Sequence, residues 1–132
     1  MSHPGLPPAP PAPSVAAGFW DRLGVVLSGL CAVHCLALPV LLLALPCAGL
    51  GALVHEATHP AMAAFLVPVT LRAAKSAPGA SLLHAGLGVV CLAVPAHAFL
   101  GECLGLALTL AGSGLLILGH RTNLFCRRAV AS

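Results

Sequence analysis

From Leu23 to Val54 the chain carries no charged side chain. A soluble fold cannot easily hide so long an uncharged stretch, and one membrane-spanning helix needs only about 20 residues. The rest of the sequence follows suit. Charged residues make up 7% and hydrophobic residues 59% of the 132, where a soluble domain carries roughly 25% charge. So few polar groups could not cover a water-exposed surface. In lipid that surface is free to be apolar. The reading is therefore an all-α integral membrane protein, a four-helix bundle.

Prolines, glycines and charges divide the apolar sequence. Asp21 and Arg22 open the first helix, expected over about 22–45, with Pro39 and Pro46 bending or ending it. The second is expected over 56–74, the third over 79–100 and the fourth over 103–120, after Glu102. Residues 1–17 hold six prolines and no Lys or Arg. They lack the basic start of a signal peptide and read as a disordered tail with polyproline character. Residues 18–128 form the membrane domain, and 129–132 a short C-terminal tail.

With four spans, Arg22, Arg72, Lys75, Arg121, Arg127 and Arg128 all fall on one side, and Glu56 and Glu102 on the other. The positive-inside rule then puts both termini in the cytoplasm, as expected of a multi-pass protein of the cell's inner membrane. The net charge of +3 is too small to indicate nucleic-acid binding. Gly101, Gly105, Thr109 and Ser113, like Gly24 and Ser28, recur at the four-residue spacing that lets helices approach closely in lipid.

The sharpest local pattern is Cys31-Ala-Val-His34-Cys35. On a helix these three polar side chains share one side within a turn. Cys31 lies nine residues past Arg22, or about 14 Å along the axis, and so deep in the membrane. Thiolates and imidazole select soft or borderline cations. Mercuric ion suits two thiolates in a line, and two thiolates cancel its two charges. The competing reading is packing, since free cysteine is a small, commonly buried hydrophobe.

His55-Glu56-Ala-Thr-His59 spells the His-Glu-x-x-His of zinc hydrolases. A catalytic zinc needs a third protein ligand and an open position, and no further ligand motif accompanies it. The pattern fits better as an outer site that gathers cations, or as two interfacial histidines. No phosphate-cradling loop or Ser/His/Asp arrangement is present, and no enzyme activity and no bound cofactor are expected. Cys126, between Phe125 and Arg127, is placed to accept an ion at the cytoplasmic end. Cys47 and Cys103 lie towards the other end. Two further helical faces are polar: His84, Gly88, Cys91 and Pro95 on the third helix, and Thr109, Ser113, His120 and Asn123 on the fourth.

Trp20-Asp21-Arg22-Leu23-Gly24, Leu30-Cys31-Ala32-Val33-His34-Cys35-Leu36, the His-Glu-x-x-His stretch and Gly119-His120-Arg121-Thr122-Asn123-Leu124-Phe125-Cys126 together resemble the MerC-type mercury-resistance membrane proteins, in the same order along residues 19–128. The resemblance implies four membrane helices and uptake of mercuric ion toward a cytoplasmic reductase or other thiol acceptor. It also implies that the first-helix cysteines, here Cys31 and Cys35, carry the ion. Better-characterised members have a cytoplasmic cysteine pair, where this chain offers Cys126 alone. The candidate metal residues are thus Cys31, Cys35, His34, His55, His59 and Cys126, and the lipid bilayer and a soft ion are the expected partners. A membrane accessory or sensor protein that binds metal without moving it is the main alternative, and an intramembrane zinc protease the remoter one.

Overall fold

The computed structural model describes the backbone of residues 15–44, 48–75 and 77–131. These form four helices and no strand: α1 Val15–Ala44, α2 Ala48–Ala74, α3 Ala80–Phe99 and α4 Glu102–Ala131. Three are long and apolar enough to cross a membrane, through Gly18–Ala37, Ala80–Phe99 and Glu102–Val130. The segment of α2 that carries Thr58, His59, Thr70 and Arg72 is more polar, and α2 is not among those three.

The helices are longer than their apolar runs. α4 continues to Ala131, well past the expected end at 120, because no glycine or proline follows Gly119 and His120, Asn123 and Arg127 beyond it are held by Asp21. α2 starts at Ala48 rather than 56 and passes through Pro60 and Pro68. α1 starts at Val15 and runs through Pro39, where a bend or stop was expected. The expected tail over residues 1–17 lies, up to residue 14, outside the described residues, as does Cys47.

Each helix packs on its neighbour in sequence, and α4 also packs on α1. The α3–α4 contact is the most intimate. A Cβ at Gly86 would stand 2.9 Å from the Leu116 nitrogen, and one at Gly112 2.9 Å from the Val90 nitrogen. Only hydrogen fits there, so the two backbones meet directly. Between the helices, Gly101 has φ +97°, a left-handed conformation that favours glycine. Leu66, Ala73, Leu83, Val90 and Leu116 form the apolar core. Val26, Val33, Phe65, Leu92, Leu118 and Phe125 point outward, as lipid-facing positions do. Of the expected small-residue stripes, Gly24, Ser28, Gly105, Thr109 and Ser113 are buried, while Gly101 is exposed in the turn.

Candidate metal site

Cys31 and Cys35 face inward from α1, 3% and 1% exposed. They sit one turn apart, side by side at helical spacing. The Cys31 thiol also faces Ser113 on α4. Gly24, Ser28, Cys31 and Cys35 form one buried stripe on α1. The hydroxyl oxygens of Ser28 and Ser113 are buried beside them. The thiols thus occupy an enclosed seam between α1 and α4, screened from lipid. Both are free thiols.

Next to this pair three imidazoles come together from three helices. The His34 ring on α1 lies 6.1 Å from that of His59 on α2, edge to face. His59 in turn lies 4.3 Å from His97 on α3, at an interplanar angle of 35°. α4 completes the layer with Thr109, whose hydroxyl donates to the Gly105 carbonyl at 2.9 Å. The same oxygen stands 3.5 Å from His97 Nε2. Gly105 is needed here, because a Cβ would clash with the His97 ring.

The opposite end of the helices is tied by a buried carboxylate. Asp21 on α1 has no exposed surface. Its Oδ1 accepts from Asn123 Nδ2 at 2.9 Å and from His120 Nδ1 at 3.1 Å. Its Oδ2 accepts from Arg127 Nε at 3.2 Å. Asn123 Oδ1 then accepts from the Gly79 amide at 2.7 Å, which fastens the α2–α3 connection to α4. Nearby, the Arg72 guanidinium of α2 lies 5.0 Å over the Trp20 ring, a cation–π contact. The knot and the histidine layer are 13 residues apart on α1, from Asp21 to His34, and so about 20 Å apart. Cys31 and Cys35 lie close to the histidine layer.

The other candidate residues scatter. Cys126 is half-buried on α4, 13 residues beyond Ser113 and so about 20 Å from the Cys31 level. It does not share a site with the pair. His55 and Glu56 lie in α2 by backbone, but their side chains fall outside the described ones. Cys103 is exposed. The polar face of α3 points outward. His84, Gly88, Cys91 and Pro95 are all exposed, and the buried face is Leu83, Gly86, Val90, Ala93 and Ala96. His84 Nδ1 is satisfied locally, 2.7 Å from the Ala80 carbonyl oxygen. Among the described residues no three His, Cys, Asp or Glu side chains converge tightly enough to cage one metal ion. The described residues thus give no tetrahedral donor set of the structural zinc kind.

Sequence reasoning missed two features. Asp21 read only as a helix start, yet it anchors the knot with a polar i, i+3, i+7 stripe, His120, Asn123 and Arg127, that was visible on α4. His97 carried no local signal, since only tertiary packing brings it to His59.

No curated protein and no solved structure matches the chain. The family model of the MerC mercury resistance protein matches residues 21–125, from the buried carboxylate to the residue before Cys126. With most of its length matched and three helices fit to cross a bilayer, this chain is a membrane protein of the MerC mercury-resistance family.

Proposed function

We propose that the chain carries mercuric ion across the inner membrane toward the cytoplasm, passing it between sulfur ligands at Cys31 and Cys35. The observation that carries this reading is the pair of buried thiols at one level of α1, facing α4. A divalent ion in lipid is costly unless its charge is cancelled. Two thiolates cancel it and suit a linear ion, whereas a zinc ion would be left short of ligands.

The exchange proceeds one bond at a time. The ion arrives held by two carrier thiolates. The Cys31 sulfur bonds to it as one carrier sulfur leaves, and the proton lost by Cys31 goes with that carrier as its thiol. Cys35 repeats the step, so the ion is never bare. His34, with His59 and His97 beside it, offers weaker nitrogen donors on the approach, and His55 lies one turn from His59 on α2. Release runs in reverse, to a cytosolic thiol or a mercuric reductase. Cys126, about 20 Å away, would take the ion only from such a mobile carrier. Cytoplasmic trapping supplies the direction.

The proposed topology has four crossings with both termini inside. α2 is not among the three most apolar spans, but at 27 residues it reaches about 40 Å, enough to span. It packs on α1 and α3. Arg127 meets Asp21 and Arg72 meets Trp20 at the end where α1 begins, in line with all basic residues on the cytoplasmic side.

The test is mercury uptake by cells expressing Cys31→Ser, Cys35→Ser and the double variant at matched protein levels. Each single variant should lose nearly as much uptake as the double, because the thiols act as a unit. Normal uptake by the double variant would refute the mechanism. Metal binding with no uptake by the unmutated chain would favour the accessory role.

A further inference from the structure

A groove of about 550 Å³ runs along the outer seam of α1 and α4, at the end that holds the Asp21 knot. Arg22, Arg121 and Arg128 rim it, over a floor that includes Val26, Leu124 and Phe125. The spacing explains the grouping. Arg121, Leu124, Phe125 and Arg128 fall at i, i+3, i+4 and i+7 on α4, and Arg22 and Val26 at i and i+4 on α1, so each set lines one helical face.

Among the described residues these three guanidiniums have no carboxylate partner. There are three acidic side chains in all, Asp21, Glu56 and Glu102. Asp21 is buried and taken by Arg127, His120 and Asn123. Glu102 opens α4 nineteen residues before Arg121, about 28 Å away along the axis. Glu56 lies sixteen residues before Arg72 on α2, about 24 Å from that end. The described ion pairs include none of Arg22, Arg121 and Arg128. Three cations stand around an apolar floor at the boundary of a membrane helix, a setting suited to an anion with an apolar tail.

We propose that this groove is a binding site for an anionic glycerophospholipid. Its phosphate sits among Arg22, Arg121 and Arg128, and an acyl chain lies along Val26, Leu124 and Phe125. Arginine suits this role, because its planar fork pairs two oxygens of a phosphate at once. The exposed floor matches a hydrocarbon chain, and basic clusters between membrane helices recognise anionic headgroups. A second copy of the chain fits badly, since it would bring the same three cations to the same face. The site is independent of how the chain handles metal.

The test is native mass spectrometry of the full chain purified in mild detergent. It is titrated with palmitoyl-oleoyl phosphatidylglycerol or with the matched phosphatidylcholine. The unmutated protein should retain one phosphatidylglycerol with a preference of at least about tenfold. R22Q, R121Q or R128Q alone should cut that preference by about fivefold each, and the triple variant should bring it to the phosphatidylcholine level. K75Q, which removes an equal charge elsewhere, should leave it within about twofold. The single variants decide the matter should the triple variant fail to fold. No preference in the unmutated protein, full preference in R22Q, R121Q and R128Q alike, or complete displacement by millimolar glycerol phosphate would each overturn the proposal.

Discussion

Replacing Asp21 by Asn tests whether the buried knot is what fastens α1 and the α2–α3 connection to α4. The substitution keeps size and one acceptor oxygen but removes the charge and turns the second oxygen into a donor. In place of Oδ2 it would set an NH2 group against Arg127 Nε, donor against donor, at a position now spanned by 3.2 Å. The alternative flip sets it against Asn123 and His120 instead. Hydrogen bonds to a charged group contribute about 1.5–3 kcal/mol each. Arg127 is 23% exposed and can turn to water, so its share is discounted. The two fully buried partners then set the expected loss at about 2–4 kcal/mol, the lower figure allowing for the weaker hydrogen bonds measured among membrane helices. The assay is thermal or denaturant unfolding of the purified protein in detergent micelles, followed by helical circular dichroism. Asp21→Asn should also lower stability more than Arg127→Gln, because the carboxylate serves three partners. A loss under about 1 kcal/mol would refute the reasoning and make the knot incidental to stability.

Other outcomes follow from the same geometry. Reporter fusions after Ser76 and at the C-terminus should read as cytoplasmic and one beside Glu102 as external, and a periplasmic C-terminus would sink the four-crossing arrangement. His97→Ala should reduce mercury uptake at low metal concentration more than at saturation, and it should behave as His59→Ala does. Equal, full activity of both variants at every concentration would remove the histidine layer from the pathway. Gly112→Val would drive a Cβ to 2.7 Å from the Val90 side chain and 2.9 Å from its backbone nitrogen. It should cost about 1–3 kcal/mol or more in the same unfolding assay, as overpacking does, whereas Leu118→Val on the lipid-facing side should be close to neutral.

What the sequence disclosed, and what it hid, divides along the difference between composition and contact. The four helices were legible because charge and apolarity alternate in long blocks, and the inward direction of Cys31 and Cys35 was legible because Gly24 and Ser28 share their stripe. Helix ends were not. Arg121, Asn123 and Arg127 look like an exit from the membrane, yet their backbone stays helical because Asp21 receives two of those side chains. The inward face of α3 was not legible either, because close backbone approach at Gly86 sets it, and Leu83, Val90, Ala93 and Ala96 follow inward while His84 and Cys91 face out. The His34–His59–His97 layer was only partly visible, since it joins residues from three helices with no local pattern to announce it.

The glycine seam between α3 and α4 also bears on how such a chain can drift in evolution. At Gly86 and Gly112 even one added methyl group would meet backbone of the opposing helix at 2.9–3.0 Å. Neither position can change unless its opposing helix changes with it. At Leu92, Leu118 and Phe125 the neighbours are hydrocarbon tails, which accept any apolar side chain alike. Descendants of this sequence should therefore differ more at these lipid-facing bulky positions than at the two seam glycines, whereas in a water-soluble core large side chains are the ones held fixed by their surroundings.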